Sequence, residues 1–371
     1  MTEYSPQCLE VLAKLRQHKN VLLSGPPATG KTTLMNEVAS AFANADFLTA
    51  AGSLPGLAPA DMPPVVPGRG AMLQNILPAP HRTTRKVFWS PFHQGFHPRD
   101  FLTGLVADTA KPGGFRISRG TLYQASEFAK VPGQASLLVI DELNRGPAVQ
   151  IFGQTIAAIE ADKRLDEENA GTLRTAYFQH LDPNTQEMAV YALPNHLYIL
   201  AAHNQVDSSI QPLDTAFLRR WTPYSVDPDM ALVQAALGIS QGMTSAEAAA
   251  SAGDVAVALA DAWSKVNARI ADMRGDDYRI GHGVLMGFDK TSLETALESA
   301  ADAWNRILQH VHELFFGEPR QLAFILDAGE AGGDAYRLED RVVGSMAVTK
   351  LAGPRSVAPT TVYGVLRFVG R

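Results

Sequence analysis

Eight residues constrain this chain more than any others: Gly25-Pro26-Pro27-Ala28-Thr29-Gly30-Lys31-Thr32, set between the apolar run Val21-Leu22-Leu23 and a stretch of helical character opening with Thr32-Thr33-Leu34-Met35. The spacing G-x-x-x-x-G-K-[ST], directly after a strand and directly before a helix, is that of a phosphate-binding loop. The glycines let the backbone curl so that its N–H groups turn inward around an anion, and the following helix adds the positive end of its dipole. Lys31 then reaches the β- and γ-phosphates, Thr32 offers a hydroxyl to Mg²⁺, and the binding stretch runs from Gly25 through Thr33. Such a loop opens a βα unit, so the chain is expected to be α/β with a parallel sheet.

The rest of the first half fits that expectation. VFWSPF at 87–92, SLLVID at 136–141 and HLYILAAHN at 196–204 read as further strands, separated by helical stretches. The second of these ends on Asp141 and Glu142. Behind a phosphate loop, Asp141 can complete the magnesium shell with Thr32, and Glu142 can orient or deprotonate the attacking water. The strand HLYILAA would end beside the loop that carries Lys31, so Asn204 at its tip can bond the γ-phosphate or the water aimed at it. Arg219 and Arg220 lie too far along the chain to share that tip, and are read as cations supplied in trans to a neighbouring subunit's site around a ring. The alternative is an ordinary salt bridge.

Boundaries follow from changes in pattern. Residues 1–227 read as a nucleotide-binding α/β core with two insertions, 52–86 and 164–194. The first is irregular and rich in proline, the second a strand pair marked by turns at Asn169-Ala170-Gly171 and Asp182-Pro183-Asn184. From 228 to 318 the chain turns Ala-rich and helical, as a lid, and 319–371 reads as a small β-containing extension of short apolar runs broken by glycine. A hydrophobic fraction of 46% against 19% charged is that of a folded globular protein. The net charge of −6 argues against a whole-surface affinity for nucleic acid. The basic group His81, Arg82, Arg85, Lys86 reads as a solvated loop, with nucleic-acid contact as the alternative. A single cysteine, Cys8, fits a reducing compartment, and with no long apolar run or signal peptide the expected location is cytoplasmic. His93 and His97 are separated by Gly95 and followed by Pro98, a poor arrangement for a structural zinc.

These stretches together resemble the AAA+ ATPases, and within them the McrB branch, the nucleotide-driven motors of modification-dependent restriction. IDELNRGPAVQIFGQTIAAIEADKRL is similar to that branch's Walker B region, FWSPFHQGFHPRDFLTGL to its Phe-His and Asp-Phe segment, and LPNHLYILAAHNQVDSSIQPLDTAFLRRW to its sensor strand, signature and Arg-Arg-aromatic end. YRIGHGVLMG and ELFFGEP are similar to its Ile-Gly-His element and the end of its helical lid. The resemblance implies an Mg²⁺-dependent nucleoside triphosphatase using ATP, with GTP as the alternative. It implies a homo-oligomeric ring of six, an McrC-like nuclease or other effector as partner, DNA reached through that partner, and a setting in restriction and anti-phage defence. His282 would be the lid histidine that senses nucleotide, with a structural histidine near a turn as the alternative, and Asn144 and Arg145 would sit near the nucleotide or the subunit interface, with helix capping as the alternative. Two features depart from the branch: the signature reads His203-Asn204-Gln205-Val206-Asp207-Ser208-Ser209 without the usual arginine, and Ala28 stands where glycine is usual. A third is the short stretch before Val21, from which no N-terminal DNA-reading domain is expected. Two other functions compete with the restriction motor: a MoxR-like chaperone that remodels a protein partner, and a nucleotide-gated scaffold.

Overall fold

The computed structural model describes residues 4–44, 76–108, 110, 113–204, 206, 213–329 and 335–371. Most of the proline-rich insertion, and Gln205 and Asp207 of the signature, lie outside the described residues. The chain forms two compact units, Met1–Ser24 with Lys31–Ser225, and Gly25–Gly30 with Val226–Arg371.

The first unit runs α1 (Pro6–His18), β1 (Asn20–Ser24), α2 (Lys31–Ala43) and β2 (Thr84–Trp89). The hairpin β3 (Thr103–Ala107) and β4 (Phe115–Arg119) follows, then α3 (Thr121–Lys130) and β5 (Gln134–Ile140). A second hairpin, β6 (Phe178–Leu181) and β7 (Met188–Tyr191), precedes β8 (Leu197–Ala202) and β9 (Thr222–Ser225). Five strands make one sheet in the order β2-β5-β8-β1-β9, every neighbouring pair parallel. β8 is buried along its whole length and β5 in all but its first residue, as expected of strands covered on both faces. The register sets Leu23 beside Ala202 and Ile140 beside Ala201, so β1, β5 and β8 end level. The residues just beyond those ends are therefore brought to one edge.

Three details differ from the sequence expectation. The strand expected at 87–92 lies at 84–89, because Thr84–Trp89 pairs with Gln134–Val139 and Pro91 has no N–H for the ladder. β9 has only four residues and contains Pro223, which gives too weak a pattern to read and is tolerated because the strand is at the sheet edge. The basic group at 81–86 is not a solvated loop: Arg82 is buried and donates to the carbonyls of Val131, Gln134 and Glu167 at 3.2, 2.8 and 3.1 Å. Arg85 likewise donates to Pro78 and Ala79. These guanidiniums hold the chain at the amino ends of the strands and are not available to a nucleic acid. The hairpin expected between 164 and 194 is present as β6–β7, with its turn at Asp182 to Glu187.

In α1, Ser5 caps the helix by accepting from the Cys8 N–H and Pro6 occupies the first turn. Cys8 itself is fully buried, and burial, with Glu37 nearby, pushes its thiol up to about 12.

The second unit contains α4 (Met230–Leu237), α5 (Ala252–Arg274), α6 (Leu293–Leu314), α7 (Pro319–Ile325), the antiparallel pair β10 (Arg337–Val343) and β11 (Met346–Ala352), and α8 (Pro359–Val369). Ser251 with Asp254, and Ser292 with Thr295, box the starts of α5 and α6. Trp263, Trp304, Ile307 and Leu366, all buried, belong to one core shared by α5, α6 and α8. The segment after 319 is thus a helix, a hairpin and a second helix that packs against α5 and α6. No helix among the described residues is long and apolar enough to cross a membrane.

Candidate functional site

Within the first unit, the edge beyond β1, β5 and β8 gathers Lys31, Thr32, Asp141, Glu142, His203 and Asn204. Lys31, the first residue of α2, is 8% exposed, and burial lowers its ammonium to about 8 although Glu142 and Asp141 oppose the shift. Thr32 Oγ1 donates to Asp141 Oδ2 at 3.3 Å, while Asp141 Oδ1 accepts from the Glu142 N–H at 2.9 Å. A hydroxyl and a carboxylate so placed are hard oxygen ligands. Among the described residues no group of three or more His, Cys, Asp or Glu side chains could hold a metal. The hydroxyl of Thr32 and the carboxylate of Asp141, as two adjacent oxygen ligands, suit an ion that keeps most of its shell for water and phosphate, as Mg²⁺ does.

Glu142 sits in the left-handed region, φ 53°, at the start of a short 3-10 turn. Strain of this kind in a non-glycine residue is characteristic of functional positions. Its carboxylate meets the Asn204 amide, Nδ2 lying 3.4 and 3.3 Å from its two oxygens, and Arg145 Nε at 3.1 Å. Asn144 is buried and donates from Nδ2 to the Asn204 carbonyl at 2.7 Å, which ties the turn after β5 to the chain just beyond β8. Asn144 and Arg145, expected near the nucleotide, thus join the same group as Glu142 and Asn204. His203 lies among these residues as well. It is 9% exposed, and burial, reinforced by Lys31, lowers its pKa to about 4, so the ring beside the lysine is neutral. Its only signal in the sequence is its place between a buried strand and Asn204.

Within the second unit lies the loop Gly25–Gly30. Gly25 and Gly30 have φ of 145° and 85°, conformations open to glycine, while Ala28 holds φ 60° at some cost. Thr29 is buried and donates to the Pro26 carbonyl at 3.0 Å. His282 is buried, and its Nδ1 accepts from the Asp229 backbone N–H at 3.2 Å. Burial lowers its pKa against the opposing pull of Asp229, and with Nδ1 accepting, the ring's N–H is the one on Nε2. That nitrogen is 3.7 Å from where a Cβ on Gly30 would stand.

The two arginines part company. Arg220 pairs with Glu160 at 3.0 Å, donates to the Ala216 carbonyl and has its own carbonyl bonded by Asn20. Arg219 is exposed; its backbone N–H donates to the Thr215 carbonyl at 3.1 Å, and its guanidinium has no hydrogen bond or ion pair among the described residues.

Residues 71–221 match the family described as AAA domain (dynein-related subfamily). The chain is 25% identical over 219 residues to the type IV methyl-directed restriction enzyme EcoKMcrB subunit of Escherichia coli (strain K12), a match covering 59% of this chain and 37% of that protein. It is 31% identical over 86 residues to the type II restriction enzyme BsuMI component YdiS of Bacillus subtilis (strain 168), covering 23% of this chain and 25% of that protein. Among solved structures, Caenorhabditis elegans PCH-2 is similar at a TM-score of 0.31 and 12% identity, over 80% of this chain and 67% of that one. A Cytophaga hutchinsonii protein described as a candidate ATPase is similar at a TM-score of 0.32 and 14% identity, over 86% and 74%. Both are partial likenesses.

Proposed function

We propose that this chain, an AAA+ ATPase with a domain of the dynein-related subfamily and a likeness to McrB, is an Mg²⁺-dependent ring motor working in a DNA restriction system. The observation that carries the catalytic reading is the convergence of Thr32, Asp141, Glu142 and Asn204 at level strand ends.

Each side chain then has a task. Lys31 pairs with the β- and γ-phosphates, Thr32 and Asp141 hold Mg²⁺, and the ion when bound supplies charge neutralisation at those phosphates. Glu142 accepts a hydrogen bond from the attacking water and draws off its proton, while the Asn204 amide keeps the carboxylate in aim. His282, with its Nε2–H, belongs to the nucleotide-contacting set. The exposed Arg219 is the better candidate for a cation given to a neighbouring subunit, since Arg220 is engaged by Glu160. ATP is the expected substrate and GTP the alternative.

The restriction setting rests on relatives named as a subunit and a component of restriction enzymes. A hexameric ring, an McrC-like nuclease partner and access to DNA through that partner complete the reading. Steady-state phosphate release with ATP and with GTP, with and without DNA, tests it. The wild-type chain should turn over one of them, and Glu142→Gln should lose on the order of 10²–10⁴ in kcat while still binding nucleotide. A Glu142→Gln variant as active as wild type would refute the assignment of the base.

A further inference from the structure

A phosphate-binding loop works only if its N–H groups point inward before the anion arrives. In this chain Pro26 and Pro27 carry no N–H, so between Gly25 and Lys31 the loop offers the donors of Ala28, Thr29 and Gly30. The peptide unit is planar and trans, so the carbonyl of one residue and the N–H of the next point in opposite directions. Whatever holds a carbonyl outward therefore turns the following N–H inward.

Two of the relevant carbonyls are held, and by the same distant segment. The Gly281 N–H donates to the Pro27 carbonyl at 3.1 Å, and the Gly283 N–H to the Ala28 carbonyl at 2.8 Å. The first bond sets the direction of the Ala28 N–H, the second that of the Thr29 N–H. The approach leaves no space for side chains: a Cβ on Gly281 would stand 2.1 Å from the Ala28 carbonyl carbon and oxygen, and one on Gly283 would stand 2.7 Å from that oxygen. His282, between them, is tethered through Nδ1 to the Asp229 N–H. The pairing also explains how Ala28 keeps φ 60° without glycine's freedom, since its carbonyl is bonded in that conformation.

We propose that the phosphate cradle of this protein is built from two pieces far apart in sequence, residues 25–30 supplying the N–H donors and residues 280–283 aiming two of them, with Gly281 and Gly283 as positioning residues for a condensed phosphate. The inference rests on the nucleotide reading of the loop. Its ligand is the di- or triphosphate chain itself, independent of the base.

Inorganic pyrophosphate, displacing fluorescent ADP and GDP analogues from the full chain, is the probe. Gly281→Ala should weaken pyrophosphate binding at least tenfold and Gly283→Ala less, with the thermal midpoint close to that of Gly287→Ala. Gly287 has nothing within 4 Å of its would-be Cβ and serves as the control, expected to bind as wild type does. A loss confined to phosphate affinity is one that a general weakening of the fold would not produce. Equal pyrophosphate affinity in both glycine variants and wild type overturns the proposal. Amide exchange in the free wild-type protein tests the pairing without any ligand or variant. Gly281 and Gly283 should exchange more slowly than Gly287, and equally fast exchange overturns the two-piece cradle even if nucleotide binds. Failure of wild type to bind any nucleotide or pyrophosphate, with those amides protected, would instead refute the nucleotide reading.

Discussion

At the scale of single residues, Lys31 is the side chain whose state the fold alters most usefully. Its pKa falls from 10.5 to about 8 because burial disfavours the ammonium. A depressed folded pKa contributes stability above about pH 10.5, and that contribution is lost as pH falls through about 8. At neutral pH the free protein therefore bears the cost of a buried cation, which a phosphate bound there would offset. Nucleotide affinity should weaken as pH rises past about 8. Over the same range, calorimetry in buffers of different ionisation enthalpy should show proton uptake on binding, and binding without proton uptake near pH 8.5 would contradict this account. His203, neutral beside the lysine because its pKa lies near 4, adds no competing titration between pH 6 and 9. The lysine, the threonine and both acids were legible as candidates in the sequence because each is marked by its immediate surroundings, the glycine-bounded loop or the end of an apolar strand. His203 was not legible, because its lowered pKa depends first on burial in the finished fold and then on Lys31, which comes from another strand–helix junction.

At the scale of elements, the sheet is tied at its amino ends by Arg164. The residue is 2% exposed; Nη2 donates to Asn20 Oδ1 at 2.5 Å and to the Ile159 carbonyl at 2.9 Å, Nε reaches Ile159 at 3.1 Å, and Nη1 donates to the Leu197 carbonyl. One guanidinium thus joins the starts of β1 and β8 to the turn before 164. Arg164→Met would leave these buried acceptors unpaired and should cost roughly 3 kcal/mol, read from the midpoint of urea unfolding. An unchanged midpoint would mean that the bonds are replaceable by water. The sequence placed this residue only in a stretch resembling a relative, without a reason for it. Elements with a strong period, such as α5 and α6, were readable; β9 was not, since four residues with a proline carry no pattern.

At the scale of the whole molecule, the proposed ring predicts complementation. Glu142→Gln and Arg219→Ala chains, each inactive alone, should recover hydrolysis on mixing, because some interfaces then combine an intact acid with an intact neighbouring arginine. No recovery at any ratio, with assembly verified by sedimentation, would place the arginine's role within its own chain. Arg220→Ala is expected to lower stability through the lost Glu160 pair and give no such recovery.

The sequence by itself determined the class of fold and the conformation of its glycine-bounded loop, because a strand, a turn and a helix in immediate succession can be specified by local backbone preference and apolar periodicity alone. Asp141, Glu142 and Asn204 followed from the same logic, each being the residue that terminates a buried run. Only the tertiary structure decided which arginine is held and which is exposed, what the basic residues at 82 and 85 do, and which glycines touch the loop. Those outcomes depend on hydrogen bonds between residues far apart in the chain, Gly281 with Pro27 and Arg220 with Glu160 among them. Such pairings are selected by the packing of the finished fold, where every buried donor must find an acceptor, and no local pattern encodes that choice.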